Sequence, residues 1–353
     1  LFVNLNGLVI RVKYVLLKLN LIHPNIKMIK SYFLNKSIKS ETIINKDNNT
    51  RITKSYYYSG KVKKEEYFYN FQYHGIDIPS VIEYYENGNI LLVYFHKNGI
   101  LHKDKDLPSI IQYYETNEIE SKTYFKNGNM HRDNNPAYEK YYMSGKIKQR
   151  CWLVDGKRHR DNNPEIEHYY ENGNIKEKQW FQNGKLHRDN NPALECYYEN
   201  GNMQSKYCFQ NGKFHRDIEP AIESYYENGN IHSKNWYQYS ELHRDIEPAK
   251  EYYHENGNIQ YKHWYQHHEL HRENNPAKEE YNEQGILIKQ EFYTNGIKQI
   301  NFEKYIGNDN CYICYERCND MIITKCNHIY CKKCINSWIQ TGNNSCPYCR
   351  QTL

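Results

Sequence analysis

The sequence predicts a multidomain chain: a long antiparallel β array of two-stranded hairpin units, then a small zinc-bound domain. Three observations predict this. Prolines recur at Pro79, Pro108, Pro136, Pro164, Pro192, Pro220, Pro248 and Pro276, one interval of 29 residues followed by six of 28. Asn-Gly pairs recur with that period, often two per unit and eleven residues apart, as at Asn172-Gly173 and Asn183-Gly184. Residues 311–349 hold eight metal-type ligands at short, regular spacings.

Residues 1–50 come first and are the least patterned. Val12, Tyr14, Val15, Leu16, Leu17 and Leu19 form an apolar run that Arg11, Lys13 and Lys18 interrupt. No uninterrupted stretch approaches the roughly 20 apolar residues of a membrane span. This segment is expected to be a small helical or irregular cap.

Residues 51–305 are expected to form the array. A well-formed unit runs from Tyr169 to Glu195, YYENGNIKEKQWFQNGKLHRDNNPALE. Asn-Gly between aromatic and β-branched runs is a strong hairpin signal. Tyr, Trp, Phe and Ile between the turns favour strands, and proline punctuates the link to the next unit. The reading is two short strands per unit in a continuing meander, stabilised mainly between neighbouring units. Later copies lose the second turn signal, with Tyr239-Ser240 and His267-His268 in its place. Alternation is imperfect, because Ile175 and Trp180 differ in parity. A thin, polar sheet with aromatics on both faces fits the mean hydropathy of −1.00 and the 15% aromatic content.

A His-Arg-Asp triplet recurs at His131, His159, His187, His215 and His243, with His-Arg-Glu at His271. One copy alone suggests a kinase catalytic loop. Repetition at a fixed period without a Gly-rich phosphate loop argues against that. The expected role is structural: Asp and Asn nucleate the turn before proline, and Arg pairs with carboxylates of the same or the next unit.

Residues 306–353 read Cys311-x2-Cys314, Cys326-x-His328, Cys331-x2-Cys334 and Cys346-x2-Cys349. Thiolate and imidazole at such spacings suit tetrahedral Zn²⁺, and eight ligands fill two sites with no open position, so both ions are expected to be structural. A segment this short needs such help to fold, and zinc supplies on the order of 10 kcal/mol per site. A disulfide framework has no use for a histidine in ligand register, and no secretory signal is recognisable. Cys318 is expected to be a bystander. Cys151, Cys196 and Cys208 are expected to be small buried residues or free thiols rather than ligands.

The net charge of +5 on 353 residues shows no basic stripe, so nucleic acid is not an expected partner. Zinc thiolates imply a reducing, intracellular and so cytoplasmic compartment.

The ligand order over 311–350 resembles the RING finger in its form with seven cysteines and one histidine. The resemblance implies a small α+β, cross-braced fold. Cys311, Cys314, Cys331 and Cys334 would hold one zinc ion; Cys326, His328, Cys346 and Cys349 would hold the other. It also implies a surface for a ubiquitin-conjugating enzyme, made by Ile313 inside the first pair, Trp338 on a short helix and Pro347 inside the last pair. Arg350, directly after the last ligand, would be the catalytic residue that locks the ubiquitin thioester. The family usually has Gly where this chain has Asn327, and Asn is the residue best able to replace it in a left-handed turn. The repeats resemble MORN-type repeats, and the Leu-His-Arg-Asp-Asn-x-Pro-Ala block resembles arrays in giant-virus proteins that act on the host cell. Together these imply a ubiquitin ligase that works without a covalent intermediate and recruits a protein substrate through its repeats. The alternative expectation is a non-catalytic zinc scaffold or assembly protein.

Overall fold

The computed structural model describes residues 2–5, 8–11, 25–75, 77–160, 162–299 and 303–353. It divides into two compact units: 1–185 with 199–201, and 186–198 with 202–353. Each is described by itself.

In the first unit the paired strands follow chain order as an antiparallel meander. Ile26–Tyr32, Ile38–Asn45, Thr50–Tyr56 and Val62–Tyr69 lead into Val81–Tyr84, Ile90–Tyr94 and the repeats up to Ile175–Gln179. This corrects the expectation for residues 1–50. Two strands occupy 26–45, and Ile38–Asn45 pairs with Thr50–Tyr56 over six positions. The alternating Ile, Lys, Ser and Thr of that stretch suit a strand better than a helix. Phe2–Leu5 pairs with Leu8–Arg11; the apolar run Val12–Leu19 lies outside the described residues.

The second unit repeats the meander from Leu194–Tyr197 and Met203–Tyr207 to Lys278–Tyr281, Leu287–Thr294 and Ile297–Gln299. It also contains the C-terminal zinc-ligand module. No helix among the described residues is long and apolar enough to cross a membrane.

Each full repeat has four strands rather than the expected two. The first Asn-Gly turn joins two meander strands, as in Ile166–Tyr169 and Ile175–Gln179. The second makes a separate two-residue hairpin, as in Phe125–Lys126 and Asn129–Met130. The same dipeptide thus makes two turns. At the first, Gly88 alone has positive φ (98°), and the register slips between Glu83 and Tyr84, as in a hairpin with a bulge. At the second, Asn98 (51°) and Gly99 (78°) are both left-handed, the signature of a type I′ turn. Tyr239-Ser240 (50°, 75°) and His267-His268 (46°, 69°) keep that conformation without glycine. The broken parity follows: Trp180 lies beyond Gln179, where the meander strand has ended.

Buried Ala137, Ala193, Ala221, Ala249 and Ala277 follow the recurrent proline, and buried Trp152, Trp180, Trp236 and Trp264 precede the small hairpins. Polar side chains then tie each repeat to the next. The Tyr142 hydroxyl donates to the Tyr169 carbonyl at 2.8 Å in the first unit, and Tyr226 donates to that of Tyr253 at 2.8 Å in the second. The side-chain amides of Asn174 and Asn230 donate to the carbonyls of Glu199 and Glu255 at 2.9 and 2.8 Å.

Two copies of the His-Arg-Asp triplet illustrate its structural contacts. The Nε2 of His131 lies 2.9 Å from Asp133, and that of His243 lies 3.0 Å from Asp245. Their Nδ1 atoms accept the backbone N–H of Asp155 and His267, the first residues of the following type I′ turns. The Nδ1 of His131 also lies 3.0 Å from the Asp155 carboxylate. Arg160 stacks on Trp152, donates to the Pro164 carbonyl at 3.0 Å and pairs with Glu167 at 2.8 Å. Tyr169 donates its hydroxyl to the same Glu167.

Candidate metal centre

The C-terminal module starts at strand Glu303–Lys304, which pairs with Met321–Ile323; that strand pairs in turn with Ile329–Cys331. Helix Lys332–Gln340 follows at once, with Cys331 at its N-cap. Ile335, Trp338 and Ile339 share one helical face by their spacing; Ile335 is fully buried and the other two pack on the same core.

Local hydrogen bonds shape each ligand pair. Cys311 receives the Ile313 N–H on its sulfur at 3.4 Å, while its carbonyl accepts the Tyr315 N–H at 2.9 Å. The Cys346 carbonyl likewise accepts the Arg350 N–H at 2.9 Å. Asn327 has φ of 61°, so asparagine makes the left-handed turn expected of it.

The eight ligands gather into two sets: Cys311, Cys314, Cys331 and Cys334, and Cys326, His328, Cys346 and Cys349. Within each set the ligand atoms all lie within 4.8 Å of one another. The interleaved pairing implied by the family resemblance is therefore the pairing found. Tetrahedral zinc bonds of about 2.3 Å to sulfur and about 2.0 Å to nitrogen place sulfurs about 3.8 Å apart, and sulfur and nitrogen about 3.5 Å apart. The Sγ atoms of Cys314 and Cys331 are 3.6 Å apart. His328 Nδ1 is 3.4 Å from the Cys326 sulfur and 3.6 Å from that of Cys346. These separations fit two zinc ions and are far longer than the roughly 2.05 Å of a disulfide. His328 presents Nδ1.

Burial and neighbouring cysteines push the Cys334 thiol up to about 11 and Cys331 higher still. Burial also opposes ionisation of Cys311 and Cys346, but backbone N–H groups outweigh it and hold each at about 7. Bound zinc deprotonates its thiol ligands. Cys318 lies outside both sets, with its sulfur 3.6 Å from Met321.

Two supporting residues were not legible beforehand. Buried Thr324 has its hydroxyl 3.0 Å from the Cys326 sulfur and accepts the His328 N–H at 3.0 Å. Fully buried Tyr330 has its hydroxyl 3.1 Å from the Cys346 sulfur. Such partners orient ligands and tune the metal. A hydroxyl two residues before a ligand is too common a signal to single out.

The other four expected site residues border the two ligand sets. Ile313 is 36% exposed. Trp338 is half-buried and donates its indole N–H to the Ser345 carbonyl at 2.8 Å. Pro347 is half-buried. Arg350 is exposed with φ of 61°. Exposed Tyr312 and Tyr348 meet at 5.0 Å between ring centroids, and Tyr348 lies 4.7 Å from the His328 ring.

Residues 307–353 match the zinc finger family of C3HC4 type (RING finger). Residues 165–183 and 194–211 match the MORN repeat variant. The chain is 40% identical over 47 residues to the E3 ubiquitin-protein ligase RNF213 of Mus musculus, which is 13% of this chain and 1% of that protein. It is 46% identical over 39 residues to the E3 ubiquitin-protein ligase BRE1 of Mycosarcoma maydis, 11% of this chain and 5% of that protein. An uncharacterised RING finger protein of Schizosaccharomyces pombe is 44% identical over 46 residues, 12% of this chain and 6% of that protein. Each likeness spans a small fraction of either protein. By its two four-ligand sets and these matches, the chain carries a RING finger domain with two zinc sites and a set of MORN repeat variants.

Proposed function

We propose that the chain is a RING-type ubiquitin ligase that positions a ubiquitin-loaded conjugating enzyme for attack by a substrate lysine. The observation that carries this reading is the pair of closed ligand sets. Protein atoms fill every position of both ions, so zinc offers no Lewis-acid site and function falls to the surface the ions hold rigid. The two named ligases support it through their RING regions.

In this reading, residues 306–353 are the catalytic module and 51–305 the recruiting repeats. Exposed Ile313, with Trp338 and Pro347, forms the apolar contact for the conjugating enzyme. Arg350 extends its guanidinium from a pinned backbone, so its fixed donors can bridge ubiquitin and the conjugating enzyme. The rate gain is orientational and electrostatic: the thioester is held in an attack-ready geometry. The repeats bring the substrate, in a reducing intracellular compartment that keeps the thiolates intact.

Self-ubiquitination of the zinc-loaded chain with a panel of conjugating enzymes tests this. Ubiquitin conjugates with at least one enzyme are expected. No conjugates, with two zinc ions per chain confirmed, would leave a non-catalytic scaffold.

A further inference from the structure

The repeats hold a ring at one recurring position. Phe95, Tyr124, Trp152, Trp180, Trp236 and Trp264 occupy it, each 3–8% exposed. The copy between Trp180 and Trp236 has Cys208 instead. The basic residue eight positions later covers the ring: Arg132 lies 3.8 Å from the Tyr124 centroid, Arg160 3.6 Å from Trp152, Arg244 4.0 Å from Trp236 and Arg272 3.7 Å from Trp264.

One pair of copies isolates the effect of the missing ring. Residues 215–221 and 243–249 have the same sequence, His-Arg-Asp-Ile-Glu-Pro-Ala. In the second, Arg244 lies over Trp236, donates to the Pro248 carbonyl at 3.2 Å and reaches Glu251 at 3.9 Å. In the first, Arg216 pairs instead with Glu219 in its own loop. His215 stays in register, 3.2 Å from Asp217 and accepting the Tyr239 N–H. Beside Cys208 is a cavity of about 310 Å³, lined by Arg188, Gln210, His215, Arg216, Ile218 and Glu219 among others. That is within the range of ligand pockets.

The cavity is ill suited to the obvious alternatives. Cys208 is 5% exposed and burial raises its thiol, so it is a poor nucleophile. Arg188 pairs with Glu195 at 3.6 Å and Arg216 with Glu219, so neither cation is left over for an anion. What remains is volume beside Cys208 and the Arg216 guanidinium, which lies against the Cys208 thiol in the register where six other copies hold a ring. The Glu219 side chain is 62% exposed, so releasing Arg216 from it costs little.

We propose that this cavity binds an aromatic side chain of a partner protein, with tryptophan the best fit, taking the place left vacant at Cys208 and stacking under Arg216. The site would recognise a ring presented on an exposed segment. It stands independently of the ligase reading.

The test uses the zinc-loaded full chain and N-acetyl-tryptophanamide as probe, followed by saturation-transfer NMR. Saturable binding is expected, with N-acetyl-leucinamide silent. Arg216→Ala should weaken it about threefold or more through loss of the cation–π contact. Cys208→Trp should abolish it and raise Tm, because the chain then fills its own cavity; if that variant fails to fold, Cys208→Leu serves for the binding readout. No saturable binding up to the probe's solubility limit would overturn the proposal. So would equal binding by the leucine probe or undiminished binding in the filled variant.

Discussion

The repeats and the RING finger are both thin, polar stretches of chain, and they solve the same problem differently. Most copies bury a ring, five bury an alanine after the recurrent proline, and tyrosine and asparagine side chains fasten copies to their neighbours. The RING finger has eight buried apolar core residues, and three of them, Cys311, Cys331 and Cys346, are zinc ligands. Its core is therefore inseparable from its metal. Repetition spreads stability over many equivalent contacts, whereas metal binding concentrates it at two points.

Zinc removal is the sharpest way to break this comparison. Chelation should unfold residues 303–353, with a loss on the order of 10 kcal/mol per site, while the repeats keep their β signal in circular dichroism and resist limited proteolysis. Simultaneous collapse of the repeats would show that they depend on zinc as well. Next in size is Trp264→Ala, expected to destabilise its neighbourhood by about 3–5 kcal/mol with zinc content unchanged; denaturant unfolding and metal analysis together decide. Tyr226→Phe removes one inter-repeat hydrogen bond, to the Tyr253 carbonyl, and should cost about 1 kcal/mol. A negligible change would mean these hydroxyls do not fasten the copies.

The repeats also carry a pH dependence. Burial, aided by nearby Lys278 and Lys250, lowers His263 from its ordinary 6.5 to about 4, against a weaker opposing pull from Glu291. Between those values the unfolded chain binds a proton that the folded chain does not. Its contribution is thus fully present above 6.5 and lost as pH falls towards 4. His263→Gln should flatten the stability profile over that window, and an unchanged slope would assign the dependence elsewhere.

What was legible in the sequence follows from the same contrast. Ligand residues are few, chemically distinctive and close in sequence, so all eight could be read before any coordinates, while their division into two sets came from the family resemblance. Asn327 was legible too, because its left-handed turn is a local demand. The repeat period was plain from proline, yet the strand count was not. One dipeptide, Asn-Gly, makes both a bulged turn and a type I′ turn, and only the backbone angles separate them. The triplet's structural role was anticipated, but not its histidine's reach to a turn 24 residues away. The strands over 26–45 escaped notice because their stretch lacks the proline and the Asn-Gly pair that mark later copies.

The most direct test of the account is single-turnover discharge of ubiquitin from a loaded conjugating enzyme onto free lysine, with zinc counted in every sample. The account predicts acceleration by the intact chain. Ile313→Ala should lose about tenfold or more through weaker binding of the enzyme, as for a central interface contact, and Arg350→Ala should slow discharge without weakening that binding. Discharge no faster than the enzyme alone, with two zinc ions bound, would contradict the ligase reading.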